Sequence, residues 1–121
     1  MTLIMFFCIL FFGLAGLANA GMDSIKFKPK TFLFQSDWWL SRGEYLPAKR
    51  TWLTRYLLFF LADGWHFLKL VMVASLVLAC TSAAFDTSTK SFWYVITYVS
   101  GLYAAFSLAH LAGYYWFWEF K

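Results

Sequence analysis

The sequence predicts an all-α integral membrane fold, a transmembrane helical hairpin beside an N-terminal hydrophobic helix. That gives three spans, or two if the N-terminal segment is cleaved. Three observations carry this expectation. Of 121 residues, 62% are hydrophobic and only 13% charged, whereas soluble domains carry roughly one-quarter charged residues. The apolar residues fall into three long runs, each near the ~20 residues a helix needs to cross a bilayer. Aromatics reach 24% of the chain, and many flank those runs, where tryptophan and tyrosine prefer the headgroup level. A chain of this length forms one domain, and a small domain has too little interior to hide so much apolar surface from water.

Residues 1–20 are uncharged and end in Leu17-Ala18-Asn19-Ala20. They admit two readings, a retained transmembrane helix or a signal peptide cut before Gly21 after an A-x-A ending. Charge favours retention. The run lacks the lysine or arginine that usually opens a signal. Removal would also leave the basic stretch that follows outside, against the positive-inside rule.

Residues 21–50 read as a basic aromatic interfacial loop. Seven of the ten basic residues and three acids, Asp23, Asp37 and Glu44, lie between positions 23 and 55, so that stretch alone carries a net +4, equal to the formal charge of the whole chain. Lys26, Lys28, Lys30, Arg42, Lys49, Arg50 and Arg55, interleaved with Trp38 and Trp39, suit a bilayer surface with anionic headgroups. A nucleic-acid partner is not expected for a segment tethered between apolar spans. The alternation from Ile25 to Lys30 reads as extended, and Ser36 is placed to cap a short helix that opens over Ser36 to Leu40.

In residues 51–121 an interfacial helix over 51–62 is expected to precede a two-helix transmembrane hairpin at about 65–85 and 92–118. Asp63, His66 and Lys69 would be costly at the bilayer centre, so the span starts near Trp65, with Lys69 reaching back to the surface. A single long helix through Gly64 is the alternative. Asp86 to Lys90 form a polar turn. Trp93 and Tyr94 at one end, and the cluster Tyr114 to Trp118 at the other, mark the last helix as spanning. The resulting topology has the N-terminus outside and the C-terminus cytoplasmic, in a plasma or bacterial inner membrane.

Gly101, Ala105, Ala109 and Gly113 recur every four residues on the last helix, and Ser75, Ala79 and Ala83 do so on the preceding one. Small residues at that spacing let helix backbones approach closely, which drives association in lipid. They are expected to hold the hairpin together or to bind another membrane protein subunit or a second copy.

No catalytic constellation is visible, and a metal site is not expected. Asp63, His66 and Lys69 share a helix face, which suits a solvated interfacial stripe better than a proton relay. Cys8 and Cys80 lie in apolar runs and behave as small hydrophobes. His66 and His110 each lie 22 residues from Ser88, about 33 Å along their helices. Two level histidines are able to ligate a haem b axially, so a haem-binding membrane anchor is one alternative function. A holin-like pore former is another, by similarity of layout alone. The leading expectation is a small non-enzymatic accessory or assembly subunit without a cofactor.

Overall fold

A computed structural model describes residues 2–36, 39 and 64–119. The described residues form helix α1 (Leu3–Phe27), a 3-10 turn (Pro29–Thr31), helix α2 (Gly64–Thr87) and helix α3 (Phe92–Ala112), which continues into a π-helical turn (Gly113–Phe117). Among the described residues, three helices are long and apolar enough to cross a membrane. The interfacial helix expected over 51–62, Asp63, and the passage through which a longer helix would run lie outside the described residues.

The helix boundaries follow from local chemistry. Thr2 caps α1 by accepting a hydrogen bond from the Met5 amide at 3.1 Å, and Ser91 does the same for α3 through the Tyr94 amide at 3.3 Å. A hydroxyl at that position satisfies one of the donors a helix N-terminus leaves free. At the end of α2, the Thr87 hydroxyl donates back to the Ala83 carbonyl at 2.7 Å.

Helix α1 runs to Phe27, beyond the segment ending at Ala20 that the sequence suggested. Residues 21–27 are therefore not loop, and the apparent strand alternation at Ile25 to Phe27 is helical. The buried positions Ala15, Ala18, Met22 and Ile25 recur at three- and four-residue intervals, which is helical periodicity. At 25 residues, α1 is about 37 Å long. That exceeds the roughly 30 Å hydrocarbon thickness, so the charges Asp23 and Lys26 fit at headgroup level.

The arrangement of the three helices also differs from the expected hairpin. Helices α2 and α3 are joined by a short turn, yet each packs extensively against α1 and scarcely against the other. Helix α1 is the centre of the bundle and the hairpin arms straddle it. Its composition explains why. Ala15, Gly16, Ala18, Ala20, Gly21 and Ser24 are all buried, and such small residues let a neighbouring backbone close in on either side. The Cys8 thiol meets the Ala79 carbonyl at 3.6 Å on the α2 side. On the α3 side, a Cβ added at Gly16 would overlap the Phe106 carbonyl oxygen and lie 3.0 Å from its carbon.

The outward faces are apolar. Phe6, Phe7 and Leu10 on α1, Val73 and Val77 on α2, and Val99, Leu108 and Leu111 on α3 are exposed. Such a continuous apolar belt is unusual on a soluble monomer and is the surface a helix presents to lipid.

Candidate functional site

The densest set of side-chain interactions lies where α1 ends, α2 begins and α3 ends. The π turn accommodates one extra residue, its closing bond running from the Trp118 amide to the Gly113 carbonyl at 3.0 Å, and Trp118 follows that turn. The indole nitrogen donates to the Leu17 carbonyl at 2.7 Å. Phe32 is fully buried and stacks on Trp118 with ring centroids 5.5 Å apart. Phe34 stacks on Trp39 at 4.8 Å, and Trp39 stands 6.4 Å from Trp118. The Leu33 amide donates to the Trp118 carbonyl at 2.7 Å, within an isolated antiparallel bridge between Phe32 and Glu119. The segment after α1 is thus pinned to the C-terminal end of α3.

Of the predicted membrane-surface residues, Lys26 and Lys30 are exposed and Lys28 and Trp39 half-buried. The Lys28 ammonium donates to the Tyr114 carbonyl at 2.6 Å, sits 4.0 Å from the Tyr114 ring centre and stands 4.0 Å from Glu119. The last carbonyls of a helix lack partners within it, and a cation there complements the helix dipole. Lys28 therefore serves the end of α3. Ser36 accepts through its carbonyl from the Trp39 amide at 3.1 Å. Trp38, Arg42, Lys49, Arg50 and Arg55 lie outside the described residues.

His110 is paired. Its Nε2 lies 2.9 Å from the Asp23 carboxylate, and its ring stacks on Tyr114 at an interplanar angle of 11°. Asp23, Phe27, His110 and Tyr115 border a shallow cleft of about 250 Å³. Asp23 escaped the sequence reading because residue 23 was assigned to a loop, and no local pattern links positions 87 apart. His66 lies in the first turn of α2, half-buried and 5.2 Å from the Trp65 ring. Helix α1 runs between the helices that carry the two histidines, and ligation through His110 Nε2 would first require breaking the contact with Asp23. Lys69 is exposed, with its ammonium 5.3 Å from the Trp65 ring. Among the described residues, no three histidine, cysteine, aspartate or glutamate side chains gather as a metal-ligand group.

The small residues divide by face. Ser75 and Ala79 are buried and Ala83 half-buried, and the Ala79 carbonyl faces Cys8 of α1. On α3, Gly113 is buried, and a Cβ there would lie 2.8 Å from Ala20 and 2.9 Å from Leu17 of α1. Ala105 and Ala109 are half-buried. Gly101 is exposed, and an added Cβ would have no neighbour within 4 Å. The row drifts around α3 because four residues exceed one 3.6-residue turn, so Gly113 faces α1 and Gly101 turns outward. Sequence spacing understated α1, whose Gly16 lies directly against the Phe106 backbone of α3.

No family model matches this chain, and no curated protein or solved structure matches it.

Proposed function

We propose that the protein is a non-enzymatic membrane subunit that uses helix packing to join another membrane polypeptide or a second copy of itself. In this reading α1 is retained as a span, the N-terminus lies outside and the basic end of the bundle faces the cytoplasm. Gly101 carries the proposal. It is a small residue on a spanning helix with open space over its Cα, flanked on the same helix by the exposed Thr97 and Ala104. In lipid such a surface gains by close contact with a helix backbone, because lipid chains fit a small-residue groove less well than a helix does. Lys26, Lys28 and Lys30 at the far end of α1 support the orientation through the bias of basic residues toward the cytoplasm.

The test is native mass spectrometry of the protein extracted gently from its own membrane. The natural chain is expected to leave with the mass of another polypeptide or a second copy. Gly101→Leu is expected to leave alone while its helical circular dichroism is unchanged, since a Cβ added there meets nothing within 4 Å. A natural chain that leaves alone, or a Gly101→Leu variant that keeps its companion, would overturn the proposal.

Retention of α1 has its own measurement. Residues Cys8, Ala15, Ala18 and Ala20 are buried against the other helices, so removing residues 1–20 would open the centre of the bundle. The denatured intact mass is expected to include those residues, and a chain beginning at Gly21 would refute retention.

A further inference from the structure

The end of the bundle where α1 finishes, α2 begins and α3 finishes carries outward aromatic rings. Phe27, Tyr115, Trp116 and Phe117 are all more than half exposed, and tryptophan and tyrosine so placed settle at headgroup level. Two lysines stand at the same end. Lys30 is exposed in the turn that follows α1. Lys69, in the second turn of α2, is exposed as well, and its ammonium reaches back to 5.3 Å from the Trp65 ring in the first turn. A long cationic side chain near a helix end bends this way to keep its charge at the membrane surface.

The acids of this end do not offset those two charges. The described carboxylates here are Asp23 and Glu119, and each faces a partner on another element. Asp23 lies 2.9 Å from His110, and Glu119 lies 4.0 Å from Lys28, whose ammonium also serves the Tyr114 carbonyl. Among the described residues, neither Lys30 nor Lys69 enters an ion pair. At the opposite end the charges of Asp86 and Lys90 cancel.

We propose that this end of the bundle is a docking surface for acidic phospholipids, with Lys30 and Lys69 each pairing with the phosphate of a net-negative headgroup. Charge selects the occupant. A lysine ammonium donates and cannot accept, so its partner is an anion, and the aromatic rings set it at the depth of headgroup phosphates. An acidic lipid brings net negative charge, whereas the phosphate of a choline lipid is already offset by its own ammonium. Attraction of this kind is worth about a fivefold preference for each lysine near the surface. The proposal rests on the reading of the chain as a membrane subunit and is independent of the packing role of Gly101.

The full chain, purified in mild detergent, is mixed with phosphatidylglycerol and phosphatidylcholine of identical acyl chains, and bound lipid is read by native mass spectrometry. Phosphatidylglycerol is expected to be retained about tenfold or more over phosphatidylcholine. Lys30→Gln and Lys69→Gln are each expected to lower that preference about fivefold at unchanged helical content, and the two together to lower it further. Lys30→Arg with Lys69→Arg keeps both charges and is expected to keep the preference. Lys90→Gln, at the opposite end, is expected to leave it unchanged. Equal retention of the two lipids by the natural chain overturns the proposal, as does a preference that survives the paired glutamine substitutions. Displacement of bound phosphatidylglycerol by excess inorganic phosphate or by a short oligonucleotide would assign the surface to a soluble anion and overturn the lipid assignment. The packing role is read from protein mass and this one from lipid mass, so either can fail without the other.

Discussion

Gly16→Ala is expected to destabilise the bundle by about 3 kcal/mol or more, at the upper end of the range for overpacked cores. A single methyl suffices because the obstacle is backbone. The added Cβ would overlap the Phe106 carbonyl oxygen and approach the Phe106 carbonyl carbon to 3.0 Å and its Cα to 3.1 Å. No rotamer change relieves that contact, so α1 and α3 must separate, and every contact near their crossing loosens with them. Gly13 supplies the control, since an added Cβ there meets nothing within 4 Å. Gly13→Ala should be neutral or stabilising by up to about 1 kcal/mol, the difference between glycine and alanine in a helix. Unfolding of both variants in mixed micelles, followed by circular dichroism as denaturing detergent is added, compares them directly. Equal midpoints for the two substitutions would show that α1 and α3 do not cross at Gly16.

Trp118→Ala is expected to cost about 3–5 kcal/mol, the usual range for deleting a buried aromatic. The indole is 8% exposed, donates to Leu17 at 2.7 Å, stacks on the fully buried Phe32 and lies 2.9 Å from where a Gly21 Cβ would sit. It therefore joins the segment after α1, the middle of α1 and the end of α3. Its loss should abolish most of the near-ultraviolet dichroism of the surrounding aromatic cluster while leaving the helical signal largely intact. Trp118→Phe keeps a ring but removes the donor, and is expected to retain more of the stability. A Trp118→Ala variant with a near-natural midpoint and unchanged aromatic signal would mean that this end of the bundle is held by other contacts.

The legible and illegible features differ in physical kind. The runs within residues 1–20, 65–85 and 92–118 were readable because bilayer thickness sets a length and lipid sets a composition. Asp86 to Lys90 were readable as a break because a polar turn belongs at the membrane surface, although α2 runs on through Asp86 to Thr87. The extent of α1 beyond Ala20 was obscured because Asp23 and Lys26 look like the start of a loop. Their charges are accommodated by an interhelical partner, His110, in the first case and by exposure in the second. Within the candidate sites, the spacing of Gly101, Ala105, Ala109 and Gly113 revealed a row of small residues but not which neighbour each one meets. Gly113 meets α1, whereas Gly101 meets open space. The level positions of His66 and His110 were countable along the chain, but the helix between them was not.

The sequence by itself determined the all-α class of the described residues, three stretches long and apolar enough to span a membrane, and the gathering of basic charge after the first of them. These properties are local, set by composition, periodicity and length against a bilayer of nearly fixed thickness. Only the tertiary structure decided that α1 stands at the centre of the hairpin, that Asp23 meets His110, and that Trp118 folds back onto Leu17. Those outcomes depend on how each helix is rotated about its own axis. In lipid, where every face is apolar, hydrophobicity does not select that rotation. It is selected by close backbone approach at residues such as Gly16 and by hydrogen bonds between residues far apart in the chain.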